Sequence, residues 1–157
     1  MTEPTGKRAL DALVAGLGLA ALAPLLTGIA AAVRLDSAGP ILYRATRVGR
    51  DCRPFTMYKF RTMRVSRDGE RARITSHGDD RITRVGRFLR RTRLDELPQL
   101  WNVMIGDMSL VGPRPEDPHY VELYSSHQRR VLAARPGITG LAALRFHDEQ
   151  RLLVGPG

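Results

Sequence analysis

The sequence predicts an α-dominant α+β fold, in which an N-terminal membrane-inserted helix precedes a small domain with a short β-hairpin and amphipathic interfacial helices. Three observations support this prediction. Residues 12–33 carry no charge, two β-prone runs flank the turn GRDCRP, and residues 80–92 separate apolar from basic side chains at helical spacing. We therefore divide the chain into a membrane helix, residues 1–36, and a domain, residues 37–157.

The composition indicates one domain with an anionic partner. The 157 residues suffice for a core, and 25 Lys and Arg against 16 Asp and Glu give a net charge of +9. Nucleic acid, lipid headgroups and phosphorylated substrates all fit that charge. Aromatic residues are only 6% of the chain and no nucleic-acid-binding motif is present, so we expect no nucleic-acid partner. Cys52 is the only cysteine, which excludes a disulfide within the chain.

The uncharged segment, residues 12–33, allows three interpretations. Its 22 residues would form a helix of about 33 Å, enough for the hydrocarbon core of a bilayer. A signal peptide would use Lys7 and Arg8 as its basic start and Ala30–Ala32 as its cleavage site, but the segment is longer than an ordinary signal core. A spanning helix and a re-entrant helix are the alternatives.

The charges on both flanks favour the re-entrant helix. Lys7 and Arg8 precede the segment and several arginines follow it, whereas basic residues prefer the cytoplasmic side of a membrane. Pro24 lies near the midpoint and predicts a break in the helix, with the Thr27 hydroxyl near the freed carbonyl. Proline kinks also occur in spanning helices, so the charges carry most of this argument.

The remaining segments are read from local signals. The runs ILYRATRVG and FTMYKFRT predict the β-hairpin, and residues 64–80 predict a polar loop. Residues 80–92 predict a basic amphipathic helix that lies on an anionic membrane or packs on its own domain. LPQLWNVMIGDMS predicts a short apolar helix. Asp117 as N-cap and Pro118 predict a last helix that continues to Ala134.

Asp95 and Glu96 are the candidate catalytic pair. A carboxylate that is held ionised can attack phosphorus, and neighbouring arginines would keep Asp95 charged. Thr92 stands three residues before Asp95 in a helix-capping pattern. Glu96 points about 100° away on a helix, so it is free to hold a hard cation such as Mg²⁺. Surface salt-bridging is the alternative interpretation of such a pair.

Two basic motifs provide candidate substrate-binding residues. In VGPRP, Gly112 permits close backbone approach, the prolines including Pro115 stiffen the loop, and Arg114 can grip a phosphate through two donors. In YKFRTM, Lys59 can supply a point charge to a phosphate. We place Arg61 of the same run among the substrate-binding candidates.

Four stretches together resemble the bacterial sugar transferases of the monotopic phosphoglycosyl transferase superfamily: SAGPILYRATRVG, FTMYKFRTM, residues 79–116 and RPGITG. The resemblance covers most of the chain, from Lys7 to Gly140. It implies an Mg²⁺-dependent enzyme of exopolysaccharide or glycoconjugate synthesis in the cytoplasmic membrane, with its catalytic domain on the cytosolic face. The implied substrates are a UDP-sugar and a polyprenyl phosphate, such as undecaprenyl phosphate, and membrane lipids are implied partners.

The same resemblance implies residue roles. Asp95 corresponds to the nucleophile that carries the phospho-sugar while UMP leaves, and Glu96 corresponds to the Mg²⁺ ligand. Three basic positions align with groups around the phosphates: Lys59, Arg90 and Arg114. Pro24 matches the break in a re-entrant helix.

Some features depart from the family pattern. Ala23 precedes Pro24 where a serine is common, and Ala143 stands where glutamine is common. Relatives usually continue beyond RFHDEQRLL, so we expect a truncated C-terminus. A truncated inactive relative and a membrane-tethered anion-binding protein without catalysis therefore remain alternatives. The sugar, the pathway and the oligomeric state, a homodimer included, stay open.

Overall fold

The computed structural model describes residues 5–64 and 79–140. Within these ranges the helices are α1 (Thr5–Asp36), α2 (Arg84–Thr92), α3 (Gln99–Ile105) and α4 (Pro118–Glu122). The strands are β1 (Leu42–Val48), β2 (Pro54–Phe60), β3 (Ser109–Val111) and β4 (Gly137–Thr139). Short 3₁₀ helices cover Arg50–Cys52, Leu94–Glu96 and Gln128–Ala133. The predicted α-dominant α+β class is confirmed, while most of the predicted loop at 64–80 and the C-terminal end of the domain lie outside the described residues.

Helix α1 continues through Pro24 without interruption. Its 32 residues are long and apolar enough, by length and composition, to cross a membrane. Pro24 lacks an N–H, so the carbonyl of Ala20, four residues earlier, loses its helical hydrogen bond. Thr27 Oγ1 donates instead to the Ala23 carbonyl at 2.9 Å, and the predicted role of this hydroxyl is therefore wrong. The re-entrant topology stays a prediction.

Both halves of α1 pack against the domain. In the first half, Ala15 is fully buried in a cluster with Ala45, Met57, Val103 and Met108. In the second half, Ile29 and Val33 are buried in a cluster with Phe60 and Leu89. The helix therefore lies along the domain and does not project from it.

The two ends of α1 are also attached to the domain by polar contacts. Arg8 donates to the carbonyls of Val103 (2.6 Å) and Met104 (2.7 Å) at the end of α3. Asp11 accepts a hydrogen bond from the buried Ser109 hydroxyl at 2.7 Å. At the other end, Asp36 Oδ2 accepts from the Val85 amide at 3.0 Å. Residues 8 and 36 are thus both held by the same domain.

Strands β1 and β2 form the predicted hairpin. They are antiparallel, from Leu42 opposite Phe60 to Val48 opposite Pro54. Asn102, fully buried on α3, accepts from the Tyr58 amide at 3.1 Å and donates to the Thr56 carbonyl at 2.7 Å. The side chain thus makes the bonds that a further strand would make with β2, and it fixes the strand that carries Lys59.

Helix α2 begins at Arg84, later than the pattern predicts. Ile82 pairs with Met63 in an isolated β-bridge, and the Thr83 hydroxyl then caps the helix by accepting from the Gly86 amide at 2.9 Å. A Cβ at Gly86 would lie 2.0 Å from the Thr62 carbonyl oxygen, so α2 packs directly on that backbone. This contact requires glycine and brings α2 against the end of the hairpin.

The predicted last helix is two shorter elements. The Asp117 side chain accepts from the His119 amide at 3.1 Å, as expected for an N-cap, but α4 ends at Glu122. Ser125 and Gln128 then form a reciprocal cap: the Ser125 amide donates to Gln128 Oε1 at 2.9 Å, and the Gln128 amide donates to Ser125 Oγ at 3.3 Å. This local pairing starts a new helical turn and ends the regular helix early.

Candidate active site

The acidic pair lies in the 3₁₀ helix Leu94–Glu96 between α2 and α3. Arg93 has a left-handed backbone (φ 59°), which ends α2 and turns the chain. Thr92 does not cap this turn, because its hydroxyl donates backwards to the Phe88 carbonyl at 2.9 Å. The predicted capping role of Thr92 is therefore wrong, and the turn at Arg93 is what positions Asp95.

Asp95 is buried, and only 8% of the residue is exposed to solvent. Within the described part of the chain, Asp95 Oδ1 has no hydrogen-bond partner. Burial raises the pKa of Asp95 above the usual value, while Lys59 opposes the shift, Glu96 adds to it and Arg90 opposes it. The arginine effect that the sequence predicted is thus outweighed by desolvation. The result is a poorly solvated carboxylate oxygen without a hydrogen-bond partner among the described residues.

Glu96 is paired with Lys59. Lys59 Nζ donates to Glu96 Oε1 at 2.8 Å, and Arg93 lies 3.9 Å from the same oxygen. Burial alone would raise the pKa of Glu96, but Lys59, Arg114 and Arg93 together lower it. Glu96 is therefore the more readily ionised member of the pair, and Arg114 lies close enough to contribute.

Arg90 faces Asp95 from the last turn of α2. Its Nε donates to Thr62 Oγ1 at 2.9 Å, and Thr62 is itself buried. Burial lowers the pKa of Arg90, with Asp95 and then Asp79 acting against that shift. Thr62 thus aims the Arg90 guanidinium from the hairpin side.

Beside Arg90, Arg81 binds Asp79 through two donors, Nε at 2.9 Å and Nη2 at 2.6 Å. These hydrogen bonds lower the pKa of Asp79 to about 2. Sequence reasoning missed Thr62, Asp79 and Arg81 as neighbours of the site. The only signal for Asp79 and Arg81 was the mixture of acidic and basic residues in DDRITR, which does not specify a partner.

The loop that carries Arg114 is held by backbone contacts on both sides. The Gly112 amide donates to the Thr139 carbonyl at 2.9 Å, and the Gly137 amide donates to the Pro113 carbonyl at 2.8 Å. A Cβ on Gly112 would lie 2.3 Å from the Arg135 carbonyl oxygen. Gly112 therefore permits close approach to β4, which pairs in parallel with β3, and the segment RPGITG supports the Arg114 loop.

After Pro115, the Val48 amide donates to the Glu116 carbonyl at 2.9 Å and ties the other end of that loop to β1. Arg61 has a different position. Its buried guanidinium donates to the carbonyls of Ser37 (2.6 Å) and Ala38 (2.7 Å), in the turn after α1. No contact of Arg61 with the acidic pair occurs among the described residues. Burial, and then Arg34, lowers its pKa, and its contacts stabilise the junction between α1 and β1.

The acidic pair can supply only part of the oxygen shell of a hard cation, and water or a phosphorylated ligand would supply the rest. Within residues 5–64 and 79–140, no three His, Cys, Asp or Glu side chains converge to hold a metal ion. Glu96 is an oxygen donor beside Asp95 in the chain, and Mg²⁺ takes one or two carboxylates and completes its shell with phosphate oxygens and water. The donor set therefore suits Mg²⁺ whose shell is completed by water or by a phosphorylated ligand.

The site thus combines a largely buried acidic pair with four basic side chains that act on it: Lys59, Arg90, Arg93 and Arg114. Arginines and a lysine around one small site are typical of proteins that bind phosphate groups. Residues 2–153 match the model of the family described as bacterial sugar transferase. The chain belongs to the bacterial sugar transferase family.

Curated relatives carry names from the same class. The chain is 50% identical over 142 residues to a UDP-glucose:undecaprenyl-phosphate glucose-1-phosphate transferase of Caulobacter vibrioides, covering 88% of this chain and 53% of that protein. It is 40% identical over 141 residues to a UDP-N-acetylgalactosamine-undecaprenyl-phosphate N-acetylgalactosaminephosphotransferase of Aeromonas hydrophila, covering 87% and 33%. It is 45% identical over 147 residues to the exopolysaccharide production protein PSS of Rhizobium leguminosarum bv. phaseoli, covering 88% and 73%. The chain spans about half the length of the first of these relatives and a third of the second.

Proposed function

We propose that this protein transfers a phospho-sugar from a UDP-sugar to a polyprenyl phosphate, such as undecaprenyl phosphate, through an intermediate on Asp95. The observation that carries the proposal is the buried, unpartnered Asp95 Oδ1 beside Glu96, within the field of Lys59 and Arg90. The names of the relatives support the substrate classes. Exopolysaccharide or glycoconjugate synthesis is the setting in which such a reaction would serve.

The reaction is two displacements at one phosphorus. In the first, Asp95 Oδ1 attacks the sugar-bearing phosphorus, a P–O bond forms, and the bond to the bridging oxygen breaks so that UMP leaves with that electron pair. In the second, a phosphate oxygen of the polyprenyl phosphate attacks the same phosphorus, and the Asp95 carboxylate is released. Both nucleophiles are anions, so neither step requires a proton to be removed from them.

The surrounding residues have separate tasks in this scheme. Arg90, aimed by Thr62, and Arg114, held by its loop, would bind phosphate oxygens of the two substrates in turn. Glu96 would hold Mg²⁺, which supplies positive charge to the diphosphate when it is bound. Burial of Asp95 keeps its carboxylate poorly hydrated, which favours attack once the substrate charge is neutralised.

Membrane association at the cytosolic face is part of the proposal. Leu13 and Leu17 on α1 are 60% and 62% exposed, and Trp101 and Ile105 on the adjacent α3 are 47% and 49% exposed. Such apolar exposure is expected where a surface contacts lipid. Because the domain holds both ends of α1, we place both basic flanks, and the acidic pair, on the cytosolic side of the cytoplasmic membrane.

Replacement of Asp95 by asparagine tests the nucleophile. The D95N variant, in lipid nanodiscs with a UDP-sugar labelled in its β-phosphate, is expected to release no UMP and to retain no label on the protein. D51N is the matched control, because Asp51 is exposed at the hairpin tip and asparagine tolerates its positive φ. Turnover by D95N at the wild-type rate would show that Asp95 is not the nucleophile.

A further inference from the structure

Lys59 occupies the position on Glu96 that a cation would take. Lys59 Nζ and Glu96 Oε1 are 2.8 Å apart, and their side chains are only 19% and 15% exposed. Arg93, at 3.9 Å from the same oxygen, is a weaker and more exposed contact. In the absence of ligand, therefore, the principal positive charge on the acidic pair is the protein's own ammonium group.

The acidic pair needs such a counter-ion. Asp95 and Glu96 are adjacent in the chain and both largely buried, so two desolvated negative charges would lie side by side without it. Lys59 lowers the pKa of both carboxyl groups. With Lys59 in place, the three side chains carry a net charge of −1.

A divalent cation changes that balance. Added to Asp95, Glu96 and Lys59, it would bring the group to +1 and place two cations around one carboxylate. The diphosphate of a nucleotide sugar contributes two negative charges, which restores −1. The Lys59 ammonium group can move away from Glu96, because it sits on a flexible four-carbon stem, whereas an arginine would be held by the planar fork of its guanidinium. Lys59 and Lys7 are the only lysines in this arginine-rich chain.

We propose that Lys59 is an exchangeable counter-ion: its ammonium group leaves Glu96 Oε1 when a divalent cation binds the acidic pair, and it then binds a phosphate of the donor. The exchange itself depends only on the geometry of Lys59 and Glu96. The second half, the transfer of the ammonium group to a donor phosphate, rests on the proposed function.

Metal affinity in the absence of any nucleotide tests the exchange. Mn²⁺ binding to the full chain in nanodiscs is followed by electron paramagnetic resonance. Because K59M has no ammonium group to displace, it is expected to bind Mn²⁺ about tenfold or more tightly than wild type. K59R is the matched control and should bind no more tightly than wild type, while E96Q should lose the site in either background. The proposal would be overturned if K59M bound Mn²⁺ no more tightly than wild type, or if E96Q kept saturable Mn²⁺ binding.

A second measurement uses the unaltered protein, so it does not depend on the folding of a variant. A water-soluble acylating reagent modifies lysines, and mass spectrometry reports Lys59 and Lys7 separately. Mn²⁺ at saturating concentration is expected to increase the initial labelling rate of Lys59, which loses its carboxylate partner. Lys7, bonded to Asp11 at 2.9 Å, is the internal reference and should change little. An unchanged or reduced Lys59 rate at metal saturation contradicts the exchange.

Neither experiment contains a UDP-sugar, so their results are independent of sugar transfer. If D95N retains turnover while K59M binds Mn²⁺ more tightly, the proposed function fails and the exchange stands. If D95N is inactive while Mn²⁺ leaves the labelling rate of Lys59 unchanged, the function stands and the exchange fails.

Discussion

Asp95 combines two opposing electrostatic influences. Desolvation raises its pKa, and Lys59 is the first of the groups that act against it. A carboxylate that is protonated cannot attack phosphorus, so the balance between burial and Lys59 decides the pH at which the reaction can begin.

The pH profile of kcat/KM follows from this balance. Activity should rise with pH as Asp95 loses its proton, and the acid limb should lie above the usual aspartate range because the pKa is raised. K59M removes a positive charge that lowers that pKa, so its acid limb should move to higher pH, whatever its maximal rate. K59R keeps the charge and should leave the limb nearly in place. A limb that moves to lower pH in K59M contradicts this account of Asp95.

At the scale of elements, the side chain of Asn102 connects helix α3 to strand β2. It satisfies the Tyr58 amide and the Thr56 carbonyl, and its residue is fully buried. Lys59 is the next residue along that strand, so the same two bonds fix the direction from which Lys59 reaches Glu96.

Removal of this side chain should be costly. N102A leaves the Tyr58 amide and the Thr56 carbonyl without this partner. A fully buried unpaired group costs about 1–3 kcal/mol, and because these two groups are only partly buried we expect a loss of about 2–4 kcal/mol in the free energy of unfolding. Denaturant unfolding in detergent micelles measures the loss. D107N is the control, because Asp107 makes only a 3.3 Å contact with Asn102 and its loss should cost below about 1 kcal/mol. Near-equal stability of the two variants would show that Asn102 does not anchor β2.

The element scale also shows where sequence patterns stop being informative. The two β-prone runs and the GRDCRP turn predicted the hairpin correctly, because hairpin formation depends on local signals. The start of α2 was predicted too early, because Ile82 forms a bridge with the distant Met63. Arg61 was placed with the substrate-binding residues, but it binds carbonyls that only the folded chain brings near it.

For the whole molecule, the attachment of both ends of α1 to one domain makes the topology testable. In a C52S background, cysteines at the exposed positions Gly6 and Ala38 should both react with an impermeant maleimide in inverted membrane vesicles and not in intact spheroplasts. Native Cys52, exposed at the hairpin tip, reports the side on which the domain lies. Labelling of the two engineered cysteines from opposite sides would show a spanning helix and exclude the re-entrant arrangement.

Much of the site could be predicted at this scale, and for a physical reason. The resemblance to one family predicted that five residues lie near one another: Lys59, Arg90, Asp95, Glu96 and Arg114. In the structure, the three basic residues act electrostatically on the acidic pair. The ion pair between Lys59 and Glu96 was not predicted, because the sequence analysis assigned Lys59 to a phosphate and Glu96 to Mg²⁺. An ion pair between residues far apart in the chain depends on their distance in the folded structure, which their separation in the sequence does not predict.

The contact of Gly112 with Gly137 has a consequence for biosynthesis. Strand β4 is the last described strand in the order of translation, and its backbone closes the loop that presents Arg114. A ribosome-bound chain that ends before residue 139 already contains Lys59, Arg90 and both acidic residues, yet the loop of Arg114 is still unsecured. A nascent chain released early would therefore have its acid pair without a fixed Arg114 opposite it.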